Sequence, residues 1–385
     1  MSAEYDLSRS INLLSFFAII GTFEGLFMGI FLLFKKSVKS EANFWLGILV
    51  LSITAILLPG AIYRLGLLPQ LPHVVHVHMF TLLMMGPSAY LYVRSCTQKN
   101  FQRTNLMLLH FLPALFFLGY HLPFYLSSGD DKIASFFQFF LEGNIDYPLW
   151  VPLTKIIHCT VYFTICGRLV LHYQQHLSNT ASYIDKDFHR WLLLFCSVLL
   201  MPLFSVLIFA TTSYRLFSAT TFYGGFFLFI LAVHLAAMVK PNLFHPFPYQ
   251  IVRITSEKAE KQKYESSKLQ AAQKVAYLEK IQTHITTHKS YLINDLTLAQ
   301  LSEQTNISTH YISQVINEQL DCNFLDFINS YRVEEAKLKL TDPKFSHYTI
   351  SAIALESGFK ARSTFYAAFK KHTGMTPSQY RKKDK

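Results

Sequence analysis

Seven long apolar stretches dominate the first 240 residues, and they constrain the fold more than any other feature. They lie near 11–34, 44–62, 74–93, 106–126, 149–171, 190–210 and 220–239. A helix needs about 20 apolar residues to cross the hydrocarbon core, so each is long enough to span a membrane. Pro113 and Pro123 interrupt the fourth, a break that membrane helices tolerate when neighbours satisfy the backbone. Only 15% of the chain is charged and 51% is hydrophobic, against about 25% charged in a typical soluble domain. The first stretch, Leu13 to Phe34, is too long for the apolar core of a signal peptide and lacks a small-residue cleavage site. It reads as a retained span.

Loop charges set the expected orientation. The loops after stretches one, three and five carry Lys35, Lys36, Lys39, Arg94, Lys99, Arg103, Arg168, Lys186 and Arg190. The N-terminal tail and the remaining loops carry only Arg9, Arg64, Lys132, Lys155 and Arg215, and the loop 127–148 is acidic, with Asp130, Asp131, Glu142 and Asp146. The positive-inside rule then places the N-terminus outside and everything after residue 240 in the cytoplasm. In a bacterium this is the compartment that holds DNA, and the expected location is the inner membrane.

The composition changes after residue 240. Residues 240–385 hold 21 Lys and Arg against 14 Asp and Glu, a net of +7 out of +11 for the whole chain. Such a balance suits an anionic partner, nucleic acid or lipid. The expected division is a membrane domain at 1–240, a juxtamembrane linker at 241–267 and a soluble domain at 268–385. The linker opens with Pro241, Pro246 and Pro248 among aromatics, which excludes helix there and suits the membrane interface. Val275, Leu278, Ile281 and Ile285 then recur at spacings of three and four. That stripe either packs on the following domain or forms a seam for a homodimer. The five cysteines form no CxxC pair and read as unpaired packing residues.

Two helix-turn-helix patterns follow, at about 297–318 and 349–371, joined by a helix at 324–340. In the first, Asn306 stands where a left-handed residue is needed and Ser308 is an N-cap. Ile312, Val315 and Ile316 anchor the second helix. The opposite face of that helix, Thr309, His310, Ser313, Gln314 and Asn317, is polar and uncharged, as base reading requires. In the second pattern Ala354 allows close helix approach and Gly358 takes the turn. Phe365 and Phe369 face inward, while Lys360, Arg362, Ser363, Thr364 and Ala367 are expected to face outward. The connector, at 1.5 Å per residue, spans about 25 Å, enough to set two recognition helices in successive major grooves. Thr376 and Pro377 start a short last helix. Lys360, Lys370, Lys371 and Arg381 are the expected phosphate neutralisers.

One helix-turn-helix is a weak signal; two in tandem with this connector and ending are a strong one. The run Gly358-Phe359, Phe365, Phe369-Lys370, Gly374, Thr376-Pro377 and Tyr380-Arg381 resembles the DNA-binding domain of AraC/XylS transcriptional regulators over residues 296–381. Tyr311 to Glu318 and Tyr331 to Lys337 resemble the subgroup fused to multi-span membrane domains. The resemblance implies duplex DNA and RNA polymerase as partners. It also implies a DNA interface at Thr309, His310, Ser313, Gln314, Arg362, Ser363 and Thr364. Ala367 stands where such proteins commonly carry a basic residue.

Within the spans, Glu24 is a lone acid, and an intramembrane acid marks a functional site by default. His158 and His234 also fall in spans. The expectation is a ligand or proton site built from Glu24 and one of these histidines, or else packing alone. His76 and His78, two apart, would point to different faces of a helix, which argues against a metal site. No HExxH, GxSxG or aspartate-rich metal cluster is present, and no cofactor is implied.

The sequence thus predicts an all-α protein: a seven-transmembrane helical bundle followed by a cytoplasmic tandem helix-turn-helix domain. The implied function is a membrane-bound, non-enzymatic transcription regulator, activator or repressor, sensing an unidentified signal. The alternative is a membrane enzyme or transporter with an autoregulatory DNA-binding tail.

Overall fold

In the computed structural model, residues 13–34, 40–98, 101–138, 148, 150–183, 188, 190–193, 195–196, 215–239 and 269–383 are described. Among them the regular structure is helical, apart from one isolated bridge between Ala181 and Thr297. The chain forms two compact units. The first is residues 1–171 with 187–248, and the second is 172–186 with 249–385. The expected linker 241–267 and most of the sixth apolar stretch lie outside the described residues.

The first unit contains α1 (Leu13–Phe34), α2 (Ser40–Arg64) and α3 (His78–Thr97). Helix α1 packs on α2, and α2 on α3. The α1–α2 seam is closed by glycine. A Cβ at Gly25 would lie 2.0 Å from Thr54 Oγ1, and one at Gly29 2.6 Å from Leu51 Cγ. Only a residue without a side chain permits this approach, the usual device between apolar helices.

The expected fourth span is broken. Residues Asn105–Phe111 form a 3₁₀ segment, followed by α4 (Leu112–Tyr120) and α5 (Leu122–Leu126). Pro113 and Pro123 each occupy the second residue of a helix, where a missing N–H costs nothing. The carbonyls freed beyond α5 find a donor. Lys132, 1% exposed on α6 (Gly129–Phe137), donates through Nζ to Tyr125 O and Ser127 O, 2.9 Å each. The third stretch also begins later than expected. Residues Pro72–Val74 are a 3₁₀ turn and His76 has φ 61°. His76 and His78 therefore precede and open α3 instead of lying within it, and their rings come 5.5 Å apart. The two side chains do not alternate between helix faces there, because the backbone at His76 is not yet helical.

Helix α7 (Trp150–Thr180) is longer than expected, and its residues from His172 onward belong to the second unit. Helix α8 (Arg215–Val239) packs on α1. Three helical segments among the described residues are long and apolar enough to cross a membrane: Ser15–Phe34, Glu41–Arg64 and Trp150–Thr180. All five cysteines are free thiols.

The second unit holds α9 (Ala271–His288), α10 (Leu298–Thr305), α11 (Thr309–Leu320), α12 (Phe324–Thr341), α13 (Ile350–Glu356), α14 (Arg362–Thr373) and α15 (Pro377–Lys383). It has two cores, and α12 contributes to both. Phe324, Phe327 and Ile328 pack with Leu298, Leu301, Ile312 and Ile316 in the first lobe. Val333, Ala336 and Leu340 pack with Ile353, Phe359, Phe365 and Phe369 in the second. Ile281 and Ile285 of α9 are fully buried in the first lobe, while Val275 stays 49% exposed. Packing thus accounts for the inner half of that stripe.

Replacing Gly25 by leucine overfills the α1–α2 seam, at a cost of about 1–3 kcal/mol. Gly25→Leu should lower the thermal midpoint of the detergent-solubilised protein. Gly119→Leu, at a position where a Cβ meets nothing within 4 Å, should not.

Candidate nucleic-acid interface

The two turns form for the reasons their sequences suggest. Asn306 ends α10 at φ 55°, and Ser308 caps α11 by accepting from the Tyr311 amide at 3.3 Å. Thr297 and Gln300 form a reciprocal capping box at the start of α10. In the second lobe Gly358 has φ +86°, and a Cβ there would lie 2.5 Å from Tyr291 O. Both the conformation and the space exclude any other residue. Thr376 and Gln379 cap α15 in the same reciprocal way.

On α11, His310 and Asn317 are exposed and Thr309, Ser313 and Gln314 partly so. Ile312, Val315 and Ile316 are fully buried behind them. The helix therefore shows one continuous polar face. Its side chains are held in place: Gln314 Nε2 donates to Glu318 Oε1 at 3.0 Å, and Asn317 Nδ2 to Ser313 Oγ at 3.4 Å. Glu318 was not anticipated in the sequence. It pairs with Lys274 at 2.7 Å, and the hydrogen bonds from Lys274 and then Gln314 hold its carboxyl below the usual range. Its charge borders the reading face, so this edge would repel a phosphate unless Lys274 neutralises it.

On α14, Arg362, Ser363 and Ala367 are exposed, and so is Lys360 in the turn. The Arg362 guanidinium lies 5.1 Å from the Tyr366 ring, and its Nη2 donates to the Tyr366 hydroxyl at 3.3 Å. Thr364 departs from expectation. It is 7% exposed and turns into the lobe, because the residue after Ser363 falls on the same helical face as Phe365 and Ala368. Its side chain does not belong to the outward face. Ala361, the N-cap of α14, offers no side-chain acceptor, whereas Thr297, Ser308, Asn323 and Thr349 cap their helices. The first amides of α14 thus remain open beside Arg362, an arrangement that suits an anionic oxygen.

The four expected phosphate neutralisers divide. Arg381 is a structural clamp: Nη1 donates to Tyr348 O at 2.7 Å, and Nη2 to Phe345 O at 3.2 Å and to Ser346 O. Lys371 pairs with Asp326 at 2.8 Å. Lys360 lies 3.8 Å from Asp295, and Lys370 is exposed. The sequence signal for Arg381 was its position after Tyr380, which carries no information about the carbonyls it meets.

With this geometry in view, residues 301–383 match the model of a helix-turn-helix domain. A helix-turn-helix-type transcriptional regulator of Staphylococcus aureus strain MSSA476, itself uncharacterized, is 41% identical over 87 residues, 23% of this chain and 11% of that protein. The melibiose operon regulatory protein of Escherichia coli K12 is 31% identical over 87 residues, 28% of its own length. A solved structure of a Listeria innocua protein of unknown function is 32% identical, covers 28% of this chain and 97% of that one, and has a TM-score of 0.25. The chain spans about a tenth of the length of the Staphylococcus relatives it matches. Its second unit carries a helix-turn-helix domain.

Of the polar residues expected in the spans, Glu24 and His234 come together. His234 Nδ1 lies 2.6 Å from Glu24 Oε2, and His234 Nε2 lies 3.0 Å from Met238 Sδ. His158 is elsewhere, its ring 4.8 Å from that of Tyr162. No group of three or more potential metal ligands occurs among the described residues.

Two arginines separate binding from folding. Arg362→Ala should weaken duplex binding by about 1–3 kcal/mol and, if its contact is a phosphate, flatten the salt dependence by about one unit of slope. Arg381→Ala should leave that slope unchanged and destabilise the second lobe by about 1 kcal/mol, since it removes hydrogen bonds to partly buried carbonyls. Gel retardation across a salt series and thermal melts of full-length protein distinguish them.

Proposed function

We propose that this protein is a membrane-bound, sequence-specific DNA-binding transcription regulator. The observation that carries this reading is the pair of helix-turn-helix lobes mounted on one helix, α12, each presenting a solvent-facing second helix. The faces are unequal. The α11 face is polar and uncharged, with Gln314 and Asn317 suited to adenine edges. The α14 face carries Arg362 beside open amides and suits guanine or phosphate. Thr309, His310, Ser313, Gln314, Asn317, Lys360, Arg362 and Ser363 are the proposed DNA contacts. The regulators similar to the second unit support the same function, with RNA polymerase as a further proposed partner.

The membrane reading rests on where the apolar surface lies. Along α1 the exposed apolar residues include Phe16, Ile20, Phe23, Phe27, Phe31 and Phe34, with Phe23 63% and Phe27 65% exposed. Along α7 they include Leu153, Ile157, Val161 and Ile165. Each row recurs at three or four residues and so forms one helix face. Contiguous apolar faces of this size mark a surface that does not meet water. Seven passes, with the N-terminus outside and the helix-turn-helix unit in the cytoplasm, fit these faces and the distribution of basic residues in the loops. The bacterial inner membrane is the corresponding location.

Glu24 and His234 are the proposed sensing pair. A carboxylate and an imidazole 2.6 Å apart on apolar helices form a polar site that a ligand can occupy or displace. Glu24→Gln should alter promoter output in a reporter strain without lowering the protein level. Unchanged output under every growth condition tested would reduce the membrane unit to an anchor. Gln314→Ala should relax base preference at one position of the operator while leaving the salt slope intact, as selection from a random-sequence duplex pool would reveal.

A further inference from the structure

Arg332 is the largest fully buried side chain among the described residues, 1% exposed in the middle of α12. A buried guanidinium needs its donors satisfied, and no carboxylate supplies the partner here. Its Nε donates to Tyr291 O at 2.7 Å and its Nη2 to Ile293 O at 2.7 Å, both in the segment between α9 and α10. Longer bonds run from Nη1 to Asn329 Oδ1 at 3.4 Å and from Nη2 to Asn294 O at 3.3 Å, and two short ones reach a residue 150 positions away. Nη1 donates to Ser182 O at 2.8 Å and Nη2 to Ser182 Oγ at 3.0 Å.

Ser182 is itself fully buried, and its amide donates to Leu296 O at 3.0 Å. Next to it, Ala181 pairs with Thr297 in the antiparallel bridge. On the other side the ring of Tyr183 lies 5.3 Å from Lys360 Nζ. Three consecutive residues thus touch the N-cap of the first helix-turn-helix, the centre of the connector and the turn of the second. Both the amide and the carbonyl of Ser182 are bonded across the seam, so the short segment after α7 is held by its backbone.

We propose that the seam around Arg332 is a docking surface for residues 181–183 of the same chain, and that its occupancy sets the affinity of the two lobes for DNA. The segment follows directly on α7. A change in the position or ending of α7 is then delivered to a site that contacts both DNA-reading lobes. The second part of this inference rests on the DNA-binding function proposed above; the docking itself does not.

Full-length protein in native membranes tests the docking. Bridge partners lie about 4.5–5.5 Å apart at Cα, within the range a disulfide spans. Ala181→Cys and Thr297→Cys are combined, and a protease site is placed between residues 253 and 267. After oxidation and cleavage, the double variant should run at full length on a non-reducing gel and fall apart with reductant. Each single variant, which retains the native cysteines, should separate. Equal separation of all three overturns the docking.

The coupling is tested on purified full-length protein in micelles. Ser182→Trp cannot enter the seam and touches no proposed DNA contact. It should change duplex affinity at least about fivefold, the low end of typical coupling between sites, with helicity by circular dichroism unchanged. Ser182→Ala keeps both backbone bonds and should stay near wild type. Wild-type affinity in Ser182→Trp overturns the coupling. Wild-type protein that retards no duplex overturns the DNA-binding reading instead, while the crosslink still decides the docking.

Discussion

The buried guanidinium of Arg332 is the interaction on which the second unit depends. Helix α12 feeds two separate apolar cores, and two cores on one rod leave the polar seam between them to be filled. Arg332 fills it with a planar, multiply donating group. Burial pulls its pKa down, yet only to about 10, so it remains a cation at neutral pH. The backbone carbonyls of Tyr291, Ile293 and Ser182 carry partial negative charge without the desolvation cost of a carboxylate. Removing the guanidinium would take the donor from the Tyr291 and Ser182 carbonyls, at about 1–3 kcal/mol apiece, while Ile293 O keeps the amide of Leu296. The loop before α10, the turn at Gly358 and the 181–183 segment are thus positioned around one side chain.

The same selection of partners governs the surface proposed to face DNA. Cations that look alike in the sequence divide between structure and solvent according to which carbonyls and carboxylates they meet. Arg381 is committed to the carbonyls of Phe345, Ser346 and Tyr348, and Lys371 to Asp326. Arg362 leans on Tyr366 and stays exposed. The result is a pair of second helices with different chemistry, one amide-rich and one cationic. Such a pair suits a protein that reads bases with one lobe and holds the backbone with the other.

The first unit follows a different logic, in which apolar surface is left outward and backbone groups are satisfied inward. Glycines at 25 and 29 let α1 and α2 meet closely, while Phe23, Phe27, Phe31 and Phe34 of α1 are exposed. At the end of the short helix that Pro123 helps to open, Lys132 donates to the carbonyls of Tyr125 and Ser127. The sequence places Lys132 in an acidic loop; its burial follows from the carbonyls it meets there.

Local chemistry alone determined much of this protein. The helix-turn-helix turns at Asn306 and Gly358, the caps at Ser308 and Thr376, and the inward faces of α11 and α12 are set by side-chain size, φ preference and a 3.6-residue period. All of these operate within a few residues and so are legible in the sequence. Tertiary structure decided the rest. It placed Thr364 inside, put Arg381 and Lys371 to structural use, joined Glu24 to His234 across 210 positions, and brought Ser182 to Arg332. Those outcomes depend on which distant groups share a low-dielectric space, and no periodicity in the chain records them. The helix-turn-helix unit was recognisable from its own residues. That it includes a segment from the other side of the chain was not, because a buried donor and the carbonyl it finds need not be near in sequence.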